Sequence, residues 1–177
     1  MDKLLNFTDK ELELTEKYFK NADPNTSICL EYGSGASTTK FSKYVNTYYS
    51  IEHDYNWYIK VQTELLKRNI TNVQLFLIKS KCESNTLKNH DTKTYNNEIG
   101  KYIFEEYINF NKNLPQLDFV FIDGRARKHC TLNVFNNLKP ESIIIFHDFN
   151  NREYYNDILQ KYTIIETEKT LAILKLK

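Results

Sequence analysis

Two glycines follow an apolar run that ends on a carboxylate. The run 28–30 leads into Glu31, which is typical of a buried parallel strand. Glycines after such a strand let the backbone turn sharply and approach a ligand without a Cβ atom in the way. Hydroxyl residues of helix N-cap type come next, so free N–H groups should lie beside the turn and bind a nucleotide-like ligand. The predicted binding residues are Gly33, Ser34, Gly35, Ser37 and Thr38. A strand-to-helix turn can also require glycine for steric reasons alone, and that alternative stays open.

Polar side chains also end three later apolar runs. Glu52 ends one, Asp123 the next, and the pair His147-Asp148 the last. In an open α/β sheet the ligand lies beyond the carboxyl ends of the strands, so these side chains are candidates for binding and chemistry. A carboxylate at the position of Glu52 suits the two hydroxyls of a ribose. A solvated strand end is the alternative for Glu52.

The elements that must position these residues alternate between strands and helices. Five apolar strands separated by helical patterns predict right-handed crossovers and a doubly wound, mostly parallel α/β sheet with helices on both faces. A closing hairpin adds an antiparallel strand and brings the sheet to seven strands. The predicted strands span 27–32, 48–53, 73–78, 117–122, 142–146, 163–167 and 171–176.

The whole chain, 1–177, reads as one domain. A leading amphipathic helix lies within 1–24, where Thr8 and Glu11 match a capping box. The segment 79–112 begins with a polar, Asn-rich stretch and is predicted to be an excursion on the substrate side.

Composition excludes several classes of function. The formal net charge is +1, which argues against a broad surface for nucleic acid or for an anionic membrane. No apolar run approaches the roughly 20 residues that span a bilayer, and the N-terminus does not resemble a signal peptide. Three widely spaced cysteines indicate reduced thiols and a cytoplasmic location. The expected partner is a small-molecule or glycan acceptor, and an oligomer is possible but not indicated.

The motifs together resemble a known family. Residues 31–35 with Glu52, then 121–125, then 138–142 leading to His147-Asp148, look like the cofactor and strand motifs of class I S-adenosylmethionine (SAM)-dependent methyltransferases. The resemblance covers 27–177 and implies their Rossmann-like fold. It is closest to small stand-alone enzymes associated with sugar and polysaccharide modification, which implies O-methylation of a sugar or glycan hydroxyl. Two positions depart from the family pattern: Ala36 and Ser37 stand where a third glycine is frequent, and 79–81 lacks the usual acidic residue.

The resemblance implies a role for each predicted cofactor residue. The glycine turn would pass close to SAM, with Glu31 near the methionine amine through neighbouring backbone or water. Glu52 would hold the ribose, and His53 would flank the adenine. Asp123 would lie beside the sulfonium and face the acceptor. Trp57 is assigned to the core of its helix.

An alcohol acceptor needs a base or a metal, and the candidates are Asp123, His147 and Asp148. His147 suits proton transfer near neutral pH, although a buried histidine satisfied by a neighbour is the alternative. Asp123 and Asp148 end adjacent strands, a placement similar to the metal-binding carboxylates of catechol-type O-methyltransferases, so the pair is also a candidate Mg²⁺ site. Those enzymes usually have an asparagine where this chain has Phe149.

Basic and aromatic residues near the same strand ends are candidates for binding the acceptor. Arg125, Arg127 and Lys128 suit an anionic acceptor, with a solvated basic turn as the alternative. Arg152 and Tyr155 suit a sugar ring, unless Tyr155 packs in the core.

Two competing functions remain open. One is an NAD-dependent oxidoreductase, which is disfavoured because Thr38 stands where that fingerprint requires glycine. The other is a non-catalytic module that binds SAM or a nucleotide. The presence of Asp123, His147 and Asp148 together argues against it.

Overall fold

Seven strands form a single sheet in the computed structural model, which describes residues 7–82, 93–150 and 152–177. The strands are β1 (Ile28–Tyr32), β2 (Thr47–Glu52), β3 (Val73–Leu77), β4 (Leu117–Ile122), β5 (Leu138–Phe146), β6 (Tyr162–Glu168) and β7 (Leu171–Leu176). Their order is β3-β2-β1-β4-β5-β7-β6. β1 to β5 pair in parallel, and the hairpin of β6 and β7 joins β5 antiparallel. The predicted fold class is confirmed.

Short helices connect the strands. They are α1 (Asp9–Phe19), α2 (Ala36–Phe41), α3 (Tyr55–Lys67), α4 (Glu98–Ile103), α5 (Glu105–Ile108) and α6 (Arg127–Asn133). Turns of 3₁₀ helix span Ser42–Tyr44, Thr94–Asn96, Asn109–Asn113, Val134–Asn137 and Glu153–Gln160. The predicted capping box is present, because Glu11 accepts a hydrogen bond from the Thr8 N–H at 2.9 Å and the Thr8 hydroxyl accepts one from the Glu11 N–H.

Two differences from the predicted elements have physical causes. β5 begins at Leu138, four residues before the predicted strand 142–146, and its pairing with β4 slips in register between Leu138 and Ile143. Pro140 lies in this irregular stretch, where its missing N–H breaks no regular ladder. The segment 79–112 is not all surface excursion: residues 83–92 lie outside the described part, but Tyr95 and Phe104 are buried in the core.

Alternate strand residues face two separate apolar layers. On one face, Leu30 and Val120 pack with Phe104 and the residues around α6. On the other face, Phe119 packs with Phe19 of α1, and their ring centroids lie 5.0 Å apart. Helices on both faces therefore fix the sheet and leave its carboxyl edge for a site. Among the described helices, none is long and apolar enough to cross a membrane.

The chain changes direction across the sheet between β1 and β4. From β1 it continues outward through β2 to β3, and then returns to the other side of β1 with β4 and β5. Such a switch in strand order opens a crevice at the carboxyl ends of the two central strands. The residues that follow β1 and β4 therefore line the expected binding site.

Candidate functional site

A cavity of about 880 Å³ lies at the carboxyl ends of β1, β2, β4 and β5. It is bordered by the loops that follow these strands, by the start of α1 and by the loop of the closing hairpin. Most of the predicted site residues meet there. Those lining it are Gly33, Ser34, Gly35, Ser37, Glu52, His53, Asp123, Arg125, His147 and Asp148.

The two glycines of the turn have different roles. Gly33 has a φ of +95°, and a Cβ atom there would lie 2.5 Å from the backbone of Gly124. Packing against Gly124 is therefore enough to require glycine at position 33, which also lines the cavity. Gly35 has extended backbone, and an added Cβ would meet nothing closer than Ser37 Oγ at 3.8 Å. Gly35 is the glycine that leaves room in the cavity.

Glu31 is fully buried behind the turn and does not line the cavity. Its carboxylate accepts hydrogen bonds from the hydroxyls of Ser37, Thr38 and Ser50, the last at 2.6 Å. Burial raises the pKa of Glu31 to about 7, although the three hydroxyls act in the opposite direction. The structure places Glu31 and Thr38, two of the residues predicted to bind the cofactor, behind the glycine turn, and Ser50, which the sequence analysis missed, completes the set.

Glu52 presents a buried carboxylate at the edge of the cavity. Its oxygen Oε1 accepts hydrogen bonds from the backbone N–H groups of His53 at 2.7 Å and Asp54 at 2.9 Å. Its oxygen Oε2 accepts one from the hydroxyl of Ser34 at 3.2 Å. The side chain is 5 % exposed. The carboxylate is therefore held rigidly, and a solvated strand end is excluded.

Trp57 lines the cavity and was wrongly assigned to the helix core. Its Nε1–H donates to the carbonyl oxygen of Ser34 at 2.6 Å, which ties α3 to the glycine turn. Asp54 caps α3 by accepting from the Trp57 N–H at 2.8 Å. Aspartate is a common N-cap residue, and this signal could have located Trp57, because a helix that begins just after Glu52 must place its first turn beside the cavity.

Asp123 and His147 form a pair at the ends of β4 and β5. His147 Nδ1 lies 2.9 Å from Asp123 Oδ1, and the ring is only 4 % exposed. Phe7 stacks on this ring with centroids 4.1 Å apart and an interplanar angle of 17°. A carboxylate only accepts hydrogen bonds, so the proton of this contact belongs to Nδ1.

The Mg²⁺ site predicted between Asp123 and Asp148 does not fit this geometry. The guanidinium of Arg127 stands between the two carboxylates, with Nη2 3.2 Å from Asp123 Oδ1 and Nη1 3.3 Å from Asp148 Oδ2. Within 7–82, 93–150 and 152–177, no group of three histidine, cysteine or acidic side chains could hold a metal ion. A cation from the chain itself occupies the position that a metal would need.

The residues predicted to bind the acceptor separate into three groups. Arg125 lines the cavity, and Arg152 approaches it through an ion pair with Asp148 at 3.1 Å. Lys128 does not line the cavity and forms an ion pair with Asp157. Tyr155 is fully buried against Phe146 and Phe149, so its predicted stacking on a sugar is wrong and the packing alternative is correct.

Comparisons with known proteins identify the fold. No protein-family model matches the chain, and no curated protein sequence matches it. A methyltransferase-like protein from Silicibacter pomeroyi is similar in structure, with a TM-score of 0.72, 17% identity, and coverage of 98% of this chain and 88% of that one. The fold is that of methyltransferases.

Two further structures agree with this result. A candidate methyltransferase from Streptococcus mutans, in complex with SAH, has a TM-score of 0.63 and 15% identity over 97% of this chain and 100% of that one. A candidate caffeoyl-CoA O-methyltransferase from Staphylococcus aureus has a TM-score of 0.64 and 14% identity over 99% of this chain and 87% of that one.

In this methyltransferase fold, the start of α1 closes one side of the cavity. Phe7, Thr8 and Glu11 line it, and the sequence analysis placed none of them in the site. Glu11 Oε1 accepts from the backbone N–H of Thr170 at 3.0 Å and from its hydroxyl at 2.7 Å. This contact ties α1 to the hairpin loop. The capping box predicts the hydrogen bond between Glu11 Oε2 and the Thr8 N–H. Nothing in the sequence predicts that Glu11 Oε1 binds Thr170, which lies 159 residues away along the chain.

Proposed function

We propose that this chain is a SAM-dependent methyltransferase and that its cavity binds S-adenosylmethionine. The observation that carries the proposal is the Glu52 carboxylate. It is buried, held by two backbone N–H groups, and placed at the edge of a cavity at the switch in strand order. A fixed acceptor at this position suits the two hydroxyls of a ribose.

The residues of the cavity fit the rest of the cofactor. The turn 33–35 would carry the methionine end, since Gly35 leaves room that a side chain would fill. His53 would lie beside the adenine, and Asp123 would face the reacting end. The volume of about 880 Å³ leaves space for an acceptor beside SAM.

SAM supplies a methyl group that its sulfonium activates for in-line displacement. The chain must position the acceptor, exclude water and remove a proton. His147 is the proposed base, because Asp123 takes the Nδ1–H bond and leaves the Nε2 lone pair to accept a proton. The acceptor hydroxyl gives its proton to Nε2 and its oxygen forms the new C–O bond, while the electron pair of the breaking C–S bond remains on sulfur. Asp148 acts on this pair indirectly, because it binds Arg127, which in turn binds Asp123.

The acceptor that we propose is a sugar or glycan-type hydroxyl, as in the small stand-alone enzymes that the sequence resembles. Charged groups border the cavity: Glu11 and Lys169 line it on the side of α1 and the hairpin loop, and Arg125 lines it after β4. Such a polar border suits a hydroxylated acceptor. Structures of the same fold include rRNA methylases, but a net charge of +1 offers no broad surface for a polynucleotide.

Calorimetry with SAH, SAM and NAD tests the cofactor. We expect heat with SAH and SAM and none with NAD, and Glu52→Gln should weaken SAH binding by about 10- to 100-fold, the range for one charged hydrogen bond. Glu64→Gln, at an exposed pair with Arg68, is the matched control. Absence of heat with both SAM and SAH would refute the proposal.

Radiolabelled SAM tests the reaction against methyl glycosides, nucleotide sugars, catechol and ribosomal RNA. We expect transfer to a sugar hydroxyl in the wild type and its loss in His147→Gln and Asp123→Asn, with SAH affinity retained in His147→Gln. Transfer only to RNA would contradict the acceptor class and leave the cofactor assignment intact. Wild-type rates in both variants would contradict the proposed base.

A further inference from the structure

We propose that Arg127 is a positioning residue that replaces a catalytic metal: its guanidinium fixes Asp123 so that Asp123 in turn fixes the tautomer of His147. The inference rests on the proposed function for its role in catalysis, but the geometry that supports it does not depend on the ligand.

Within the described part of the chain, every polar contact of the Arg127 guanidinium joins it to the ends of β4 and β5. Its Nε–H donates to the carbonyl oxygen of Gly124 at 2.9 Å, and Nη1 donates to the carbonyl oxygen of His147. The two carboxylates on either side are those of Asp123 and Asp148. The side chain is 11 % exposed, so these contacts are made largely out of water. A planar guanidinium with five donors suits this bridging position in a way that a point charge does not.

The backbone on both sides of this cluster is strained. Ala126, directly before Arg127, has a φ of +49°, and Asp148 has a φ of +60°. Residues other than glycine adopt this left-handed region at a cost, and such positions cluster at functional sites. Both strained residues position a charged group of the Asp123–Arg127–Asp148 cluster. The conformation of Ala126 sets where α6 begins, with Arg127 as its first residue, and the conformation of Asp148 sets the position of its own carboxylate. The cluster is therefore built to hold Arg127 where it is.

Loss of Arg127 would act on Asp123 more than on Asp148. Asp148 would keep a cation, because Arg152 Nη2 lies 3.1 Å from its Oδ2. Among the described residues, the hydrogen bonds and ion pairs of the Asp123 side chain are with Arg127 and His147. Without Arg127, the carboxylate of Asp123 would be free to rotate away from His147 Nδ1. The Nδ1–H tautomer, which leaves Nε2 as the base, would then no longer be enforced.

A guanidinium stays charged throughout the working pH range, so this arrangement needs no metal ion. Arg127 also occupies the space between the carboxylates that a divalent cation would take. We therefore expect the wild-type protein to have no Mg²⁺ or Mn²⁺ site at Asp123 and Asp148.

The tautomer of His147 can be read without any acceptor, by nitrogen-15 NMR of protein labelled at its four histidines. The His147 signals are assigned by their loss in His147→Gln. We expect one Nδ1–H tautomer at pH 8 in the wild type, a mixture in Arg127→Met, and an intermediate pattern in Arg127→Lys, whose single ammonium cannot span both carboxylates. Lys128→Met, the next residue of α6 and outside the cavity, should match the wild type.

Several outcomes would overturn the inference. One is a wild-type tautomer pattern in a folded Arg127→Met protein. If Arg127→Met does not fold, a wild-type tautomer pattern in Arg127→Lys would overturn the inference instead. Another is paramagnetic broadening of the His147 signals by stoichiometric Mn²⁺ in the wild type. SAH calorimetry is run on the same samples. If the wild type and the Arg127 variants differ in tautomer as expected but the wild type gives no heat with SAH, the proposed function is refuted and the role of Arg127 stands.

Discussion

The backbones of Gly33 and Gly124 cross in direct contact. A Cβ atom on Gly33 would lie 2.5 Å from both the Cα and the N atom of Gly124, closer than real Cβ atoms approach. Gly33 follows β1 and Gly124 follows β4, the two strands on either side of the switch in strand order. The floor of the cavity is therefore made from two glycine backbones that no side chain can separate.

Gly33→Ala should strongly destabilise the fold. The new methyl group clashes with Gly124, and a φ of +95° is unfavourable for alanine. Left-handed strain costs about 1–2 kcal/mol and overpacking about 1–3 kcal/mol, and together they lower the melting temperature by roughly 4–20 °C in a chain of this size. Thermal unfolding followed by circular dichroism measures the loss.

Gly35→Ala is the matched control for Gly33→Ala, because an added Cβ there meets only ordinary contacts. We expect its melting temperature to remain within about 2 °C of the wild type, because the new Cβ atom would lie no closer than 3.8 Å to its neighbours and causes no clash, while its SAH affinity falls. Equal destabilisation by the two substitutions would contradict the different roles assigned to the two glycines.

The sequence located the glycine turn but could not assign its two glycines. That assignment depends on Gly124, which lies far along the chain and reaches Gly33 only because β1 and β4 are neighbours. The sequence also could not predict which way the Glu31 side chain points. The strand pattern predicted a carboxylate at the end of β1, yet which side it faces depends on Ser50 of β2 and on the start of α2.

Glu31 should make the stability of the protein fall as the pH rises. Burial raises the pKa of Glu31 from the usual 4.5 to about 7, so between these values the folded state binds a proton that the unfolded state has released. The contribution of the protonated side chain is full below about pH 4.5 and is lost as the pH rises to about 7. At 1.36 kcal/mol for each pH unit, the loss from this group is about 3 kcal/mol.

Urea unfolding of the wild type and Glu31→Gln at several pH values between 5 and 8 isolates this contribution. Glutamine cannot ionise, so the stability difference between the two proteins should shift in favour of Glu31→Gln as the pH rises. Glu64→Gln, at an exposed ion pair, should run parallel to the wild type over this range. A constant difference between the wild type and Glu31→Gln would mean that Glu31 does not hold this proton.

Trp57→Phe should weaken SAH binding without loss of the fold. The change removes the hydrogen bond from Nε1 to the Ser34 carbonyl, which ties α3 to the glycine turn at 2.6 Å. One such bond contributes about 1 kcal/mol, so we expect roughly a fivefold increase in the dissociation constant by calorimetry. Tyr58→Phe, which removes a solvent-exposed hydrogen bond from Gln62 Nε2 to the Tyr58 hydroxyl on the same helix, serves as the control. If the two variants bind SAH equally well, Trp57 has no part in shaping the cavity.

The sequence analysis missed Trp57 and Phe7 for the same reason. Trp57 lies in the first turn of α3, and Phe7 lies just before the N-cap of α1, where the periodicity of a helix does not indicate its neighbours in the fold. Trp57 reaches Ser34 and Phe7 reaches His147, and each contact exists only after the sheet has formed. By contrast, Glu52, Asp123 and His147 were found because the ends of parallel strands must meet at one edge.

Phe7→Ala should open the His147 ring to solvent. Phe7 stacks on this ring at 4.1 Å and lines the same cavity, so its removal exposes a face that the fold now covers. Exchange of the His147 Cε1 proton for deuterium, followed by NMR or mass spectrometry, should become several times faster. His53 and His129 make no stacking contact with Phe7 and provide internal references in the same sample. Phe7→Leu retains an apolar cover and should exchange more slowly than Phe7→Ala. SAH affinity should not change in either variant, since Phe7 lies on the acceptor side; a large loss of affinity would mean that the start of α1 contacts the cofactor instead.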